Sequence, residues 1–431
     1  VTQPHAPTPK AAARHAQRHE IDSLDALTAL IEGGAPLDGH VVHGLDLTGY
    51  DAWEGAQNLD GALFLGCVFA DRDQLRAIED LGAYVVPRFE GLPYEPFRTT
   101  LYSVDELMEG YDDGGYVGTR DFSIYTHFDR HRRASWGVPI RETLAQRIHD
   151  HAIDDALLDV LDAHAGRGVV GVMGGHGTRR TDTYYRKVAY MTWELTRRGY
   201  LVASGGGPGI MEAANLGAYL AHYANPKVVD AAIAILSKAP KFDGGQPEGT
   251  PAYLAAIADF MRCARQVVDR FGPGGADPED ARRFARESDQ PGRSLAIPTW
   301  FYGHEPSNLF SDHVAKYFSN SIREDGLLAI SLAGVVFAPG SAGTLQEVFM
   351  DLAQNHYATF EWRSPMVFLG RERFEPFFDL IQSFIGDRGM TEVYGDMVSL
   401  FDDPLDVVDF IEQTPPRLKE QAKPLYELVE G

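Results

Sequence analysis

Three short segments carry the residue types and spacing of anion chemistry. They are Gly174-Gly175-His176-Gly177-Thr178-Arg179, Ser204-Gly205-Gly206-Gly207-Pro208-Gly209-Ile210-Met211-Glu212 and Pro339-Gly340-Ser341-Ala342-Gly343-Thr344-Leu345-Gln346-Glu347. Glycine admits positive φ and lets a ligand approach the main chain closely. Where a helix starts directly after such a turn, its first unbonded N–H groups and its dipole attract a phosphate. The chemistry expected is the binding of a phosphorylated small molecule, with Gly206, Gly207, Gly209, Gly340, Ser341, Ala342, Gly343 and Thr344 around the phosphate. Thr344 adds a hydroxyl at a helix start, suited to capping or to a phosphate oxygen. Gly174, His176, Met211 and Glu212 are candidates for contacts to the rest of the ligand. For Glu212 and Asn215, helix packing and ligand contact are both open.

Glu347 lies just inside the helix after the third turn. There it can activate a water, bond a sugar hydroxyl or stabilise positive charge developing on a sugar ring. The structural alternative is a carboxylate stabilised by the helix dipole. Asp351, one turn later, is expected to be solvated. Arg323 precedes the strand leading into the third turn and suits a phosphate or a leaving base, with a plain surface arginine as the alternative. Arg179, Arg180 and Arg186 stand near the first helix, to meet an incoming phosphate or simply to be exposed, and Glu305, Ser307 and Asn308 follow a strand, where they can line the base or ribose side but read more readily as a polar loop. His304 belongs to the same loop.

The elements that must position these residues alternate. Val169–Met173, Tyr200–Ala203, Leu295–Pro298, Gly334–Ala338 and Met366–Leu369 read as short buried strands. Helices are expected over Asp182–Arg197, Ile210–His222, Val314–Leu328 and from the third turn to His356. Strand–turn–helix units in series predict an α/β fold, a Rossmann-like doubly wound parallel sheet, whose ligands bind at the carboxyl ends of the strands. Neither dense glycine turn has the G-x-G-x-x-G dinucleotide spacing or a P-loop Lys-Ser/Thr ending, which favours a mononucleotide or sugar phosphate. The expected organisation is a flexible tail (1–18), an N-terminal small α+β domain (19–120), a helical linker (121–164), the Rossmann-like nucleotide-binding domain (165–390, with a helical insertion at 225–293) and a C-terminal helical tail (391–431). Two Leu-Asp segments, at 44–49 and 58–64, echo each other weakly, too few for a solenoid.

The 431 residues carry a net charge of -23, from 39 basic and 62 acidic side chains. That acidity disfavours nucleic acid and anionic membranes as partners. No stretch is apolar for the roughly 20 residues a bilayer span requires. Cys67 and Cys263 form no metal-ligand spacing, and with no apolar signal core at the start the expected setting is cytoplasmic. Of the histidines, His127 and His131 stand four apart, and His149 and His151 follow. No H-E-x-x-H frame surrounds them, and no metal is expected.

The two glycine motifs in this order, each after a strand, resemble those of the LOG (Lonely Guy) phosphoribohydrolase family, formerly mislabelled as lysine decarboxylases. The third turn is similar to its P-G-G-x-G-T-x-x-E pattern, and the likeness spans roughly residues 166–386. The resemblance implies hydrolysis of the N-glycosidic bond of a nucleoside 5′-monophosphate to free base and ribose 5-phosphate. It further implies Glu347 as catalytic carboxylate, Arg323 as catalytic arginine, no cofactor and a homodimer or higher homo-oligomer. The length is more similar to the longer nucleotide 5′-monophosphate nucleosidase type. The chain departs from the pattern at Ser341, at Glu324 following Arg323, and in the Gly-Gly-His-Gly first turn. A pyridoxal enzyme needs a Schiff-base lysine, and no glycine turn carries one. The alternative to an enzyme is a non-catalytic nucleotide-binding sensor on the same fold.

Overall fold

The computed structural model describes residues 20–51, 59–134, 137–164, 166–272, 278–302 and 305–419. The expected tail (1–18), His304 and the last residues of the expected C-terminal tail lie outside them.

The first unit runs β1 (Glu20–Ile21), α1 (Leu24–Glu32), β2 (Val41–His43), β3 (Leu63–Leu65), α2 (Arg72–Asp80), β4 (Tyr84–Val86). Its sheet has the order β1-β2-β3-β4, and every pairing is parallel. The strands pair in register, with Val42 beside Phe64 and Phe64 beside Val85, but the two echoing Leu-Asp segments are not equivalent on this sheet: 44–49 follows β2, whereas the second, described from Leu59, runs into β3. Leu27, Ile31, Val42, Phe64 and Ile78 close its own small core. An α+β unit was expected from the short strands, yet parallel pairing rules here.

Four helices follow: α3 (Val104–Leu107), α4 (Tyr111–Gly114), α5 (Arg120–Arg132) and α6 (Ile140–Ala163). Thr119 caps α5 through its hydroxyl, which accepts from Phe122 N. In α6 the helical spacing buries Ile153, Leu157 and Leu161 but leaves Ile140 and Leu144 exposed at its start.

The large unit contains β5 (Val169–Met173), α7 (Thr183–Arg197), β6 (Leu201–Ser204), α8 (Ile210–Tyr219), α9 (Lys227–Leu236), α10 (Pro251–Phe271), α11 (Pro278–Arg283), β7 (Ser294–Ala296), β8 (His313–Val314), α12 (Asn320–Ile330), β9 (Gly334–Phe337), α13 (Ala342–Tyr357), β10 (Trp362–Arg363), β11 (Met366–Leu369), α14 (Arg371–Asp387), α15 (Thr391–Tyr394), β12 (Val398–Phe401), α16 (Pro404–Gln413) and β13 (Arg417–Leu418). The seven-stranded sheet has the order β12-β11-β9-β5-β6-β7-β8 and is parallel throughout. All five residues of β5 are buried, as a strand covered on both faces by helices requires. This is the Rossmann-like α/β sheet expected from the alternation of elements.

Two boundaries differ from expectation. Val314 does not start a helix: His313–Val314 adds an edge strand, and α12 begins only at Asn320, where Asp150 from α6 accepts from Phe318 N (2.9 Å) and Ser319 N (2.8 Å). The sheet also continues past residue 390, because β12 pairs with β11 in register, Met366 beside Val398. Successive strands step outward from β5 through β6 to β8, then from β9 through β11 to β12. The direction of winding therefore reverses between β5 and β9, which opens a crevice at their carboxyl ends. Among the described residues no helix is long and apolar enough to cross a membrane.

Candidate active site

The three glycine turns meet at that crevice. Gly175 N donates to Pro339 O (3.1 Å), and Ile210 N donates to Gly175 O (3.1 Å), so the first turn bridges the other two. Gly209 has φ +72, and a Cβ there would lie 2.3 Å from Gly175 O. Only glycine fits that contact. Gly206, also at φ +72, lies against Ala296 and Pro298, with a would-be Cβ 2.8 Å from Ala296. The second turn is braced from within: Gly206 N donates to Ser204 Oγ (3.1 Å), Ser204 Oγ donates to Asn215 Oδ1 (2.7 Å), and Asn308 Nδ2 donates to Gly206 O (3.0 Å). Met211 lies across it, its Sδ over Gly205 and its Cε over Gly207. Gly174 is packed by Ile210.

The second turn is buried, whereas the third opens outward. Ser341, Ala342 and Gly343 are exposed at the first turn of α13, and nothing stands within 4 Å of a Cβ built on Gly343. Ser341 has φ -113, a conformation any side chain adopts, so the serine in this glycine turn introduces no backbone strain. Thr344 is buried, its Oγ1 pressed against Gly340. Unbonded N–H groups at an open helix start, with Arg373 Nη2 donating to Gly340 O (3.3 Å), form a cradle for an anion. Sequence reading passed over Arg373. The signal was its place in the first turn of α14, after a strand and Gly370, where the helix dipole opposes a cation.

Arg323 reaches the crevice from α12. Its Nε donates to Ile297 O (2.9 Å), and its Nη2 lies beside Gly205. Its Nη1 is 3.8 Å from Glu347 Oε1 and 3.9 Å from Glu324 Oε1. Glu324 in turn accepts from Gln346 Nε2 (2.9 Å). Burial pushes the Glu347 carboxyl up to about 7, against the pull of Arg323 and with a further push from Glu324. Its side chain keeps 15% exposure, enough to meet a ligand.

Glu305 joins the same site. Its Oε2 would lie 3.4 Å from a Cβ on Gly207, its Oε1 is 3.8 Å from His176 Nε2, and burial raises its carboxyl. Its loop is anchored beneath by buried Lys316, which donates to Ser307 Oγ (3.0 Å) and to Asp121 Oδ1 (2.7 Å) on α5. The helical segment before the sheet thus positions two parts of the site: Asp121 holds the Glu305 loop, and Asp150 holds the start of the Arg323 helix. Glu305, Ser307 and Asn308 are therefore more than a solvated loop.

Two expectations are corrected. Glu212 does not face the crevice. It is fully buried, its carboxylate taken bidentately by Arg180 (2.8 and 2.5 Å) and by Tyr185 OH (2.8 Å). Arg180 is equally buried, with its guanidinium 3.3 Å above the Phe260 ring, so this ion pair docks α10 of the insertion onto α8. Asp351 is not solvated either. It is 1% exposed, and burial raises its carboxyl well above the usual range. Arg186 is paired with Asp230 at the surface, and Arg179 is exposed.

No family model matches the chain, and no curated protein matches it. Among solved structures it is similar to the molybdenum cofactor binding protein from the phototrophic bacterium Rippkaea orientalis, at 14% identity over 57% of this chain and 96% of that one, TM-score 0.31. It is also similar to the Moco carrier protein from Chlamydomonas reinhardtii, at 15% identity over 57% and 96%, TM-score 0.29. Likenesses this low say nothing of ligand or activity.

Proposed function

We propose that the chain hydrolyses the N-glycosidic bond of a nucleoside 5′-monophosphate, giving free base and ribose 5-phosphate. The observation that carries this reading is Glu347. Its carboxyl, raised to about 7, stands 3.8 Å from Arg323 beside an open glycine turn at the sheet's switch point. The phosphate rests on the N–H groups at the start of α13, with Arg373 adding charge at the rim. That contact fixes the ribose over Glu347. The Glu347 carboxylate takes a proton from water, whose oxygen bonds to C1′ as the C1′–N bond breaks. The electron pair of that bond leaves with the base, which is protonated by Glu305, an acid whose burial favours the neutral form. Arg323 donates a hydrogen bond to the departing base. The positive charge that develops on C1′ and O4′ is met by the Glu347 carboxylate.

A homodimer belongs to the same proposal. Phe349 and Tyr357 on α13 and Leu380 and Phe384 on α14 are exposed together along one apolar groove, which a second copy would cover. Incubation with a panel of nucleoside 5′-monophosphates, followed by chromatography for free base, tests the reaction. Release that vanishes in Glu347→Gln is expected. Binding without release from any member would refute hydrolysis and leave a nucleotide-binding sensor.

A further inference from the structure

We propose that His127, His131 and Glu142 bind a zinc-class divalent transition ion between α5 and α6, at a site separate from the glycine crevice. The sequence offered only two histidines four apart, which share one face of a helix. The fold supplies the third ligand: Glu142, in the first turn of α6, comes back against them. One ligand atom from each of the three residues lies within 4.8 Å of the other two. Around a tetrahedral zinc, ligand atoms about 2.0–2.1 Å from the ion stand about 3.3 Å apart. His127 Nε2 and Glu142 Oε1 are already 3.1 Å apart. Half-buried His131 supplies the third ligand atom, within 4.8 Å of both.

The chemistry of each group fits. His127 Nε2 is sealed from solvent and makes no hydrogen bond, because its approach to Glu142 is not aligned as one. Two ligand atoms in contact yet unaligned converge on a third point, where a cation belongs. His131 Nδ1 is held at His127 O (2.9 Å), so with its proton on Nδ1 the ring offers Nε2 as a lone pair. That backbone bond is the kind of outer contact that orients metal-bound histidines. Glu142 is 7% exposed, and among the described residues its other oxygen accepts a single long bond, from Tyr94 OH (3.4 Å). A buried carboxylate so weakly compensated is a strong ligand for a divalent cation. Two imidazoles and a carboxylate suit zinc or its neighbours in the first transition row rather than calcium or magnesium. The other two histidines take no part: His149 bonds Tyr102 OH (2.8 Å), and exposed His151 lies near Asp155 (3.4 Å). The ion would clamp the two helices that supply Asp121 and Asp150 to the crevice.

The test uses the full chain, stripped with a chelator, reloaded with zinc chloride and passed through gel filtration. Elemental analysis is expected to find about one equivalent of zinc retained by the wild type and by the His151→Asn control. His131→Asn and Glu142→Gln are expected to retain less than about a tenth. Cobalt(II) in place of zinc is expected to give visible d–d bands of a low-coordinate site, absent in both variants. Metal-free melting curves show whether each variant folds, and either folded variant is sufficient. A wild type that keeps no zinc, or a folded variant that keeps as much as the wild type, overturns the proposal.

Discussion

Replacing Glu347 with Gln is expected to stabilise the protein, and to do so more strongly as the pH rises. In the folded chain the Glu347 carboxyl keeps its proton to about pH 7, whereas an ordinary glutamate ionises near 4.5. Below 4.5 both states carry the proton and no penalty exists. Between 4.5 and 7 only the unfolded chain ionises, so the folded state loses stability as pH rises. Above 7 the penalty is complete, at about 3 kcal/mol for a rise of this size. At pH 5 the same linkage leaves about 1 kcal/mol. Glutamine is neutral at every pH and escapes the penalty, while Arg323 keeps Glu324 at 3.9 Å, so no orphaned cation results. The gain should therefore differ by about 2 kcal/mol between pH 5 and pH 8, roughly 2–3 °C in Tm for a chain of this length. Paired denaturation of wild type and Glu347→Gln at the two pH values measures it. An equal shift at both, or a loss of stability at pH 8, would refute the strained, half-sealed carboxyl on which the proposed chemistry rests.

The remaining expectations concern activity and the buried scaffold. Base release should rise as pH rises through about 7, where Glu347 becomes the carboxylate, and fall again at higher pH as Glu305 loses the proton it gives to the base; a rate flat from pH 5 to 9 would remove both from these roles. Arg373→Ala should raise KM for nucleoside monophosphates by about 10-fold while sparing kcat, the mark of a phosphate contact equal in ground and transition states, and steady-state kinetics would expose any other split. Arg323→Lys should cut kcat by about 100-fold or more, because one ammonium cannot hold Ile297 O and also face the crevice. Glu212→Ala should destabilise the fold by about 3–5 kcal/mol by leaving buried Arg180 uncompensated; a urea titration showing less than about 1 kcal/mol would return Glu212 to the list of ligand contacts.

What could be read from sequence followed from how local each signal was. Strands such as Val169–Met173 and Met366–Leu369 are short apolar runs rich in β-formers and bounded by glycine or proline, and that length and punctuation favour a buried parallel strand over a helix. Edge strand His313–Val314 has no such run; it exists because β7 offers it hydrogen-bond partners, which no local pattern encodes. Side chains divide in the same way. The glycine turns and Glu347 were legible because a strand, a glycine and a helix start are contiguous in sequence. Glu212 misled for that very reason: it sits after a glycine turn but points inward, and only the insertion, by bringing Arg180 under Phe260, decides its role. Arg373 was hidden, and Glu305 read more readily as a loop residue than as a ligand contact, because their meaning depends on strand order, which sets the loops after β7 and β11 beside turns far away in the chain. The acidic crowd around Arg323 follows from the same topology. Glu305, Glu324 and Glu347 arrive from three different parts of the chain, and it is burial at this crevice, with a smaller push from Glu324, that raises the Glu347 carboxyl despite an adjacent guanidinium. A site assembled this way has its reactivity set by the fold, while its anion cradle is written locally in Gly340–Thr344.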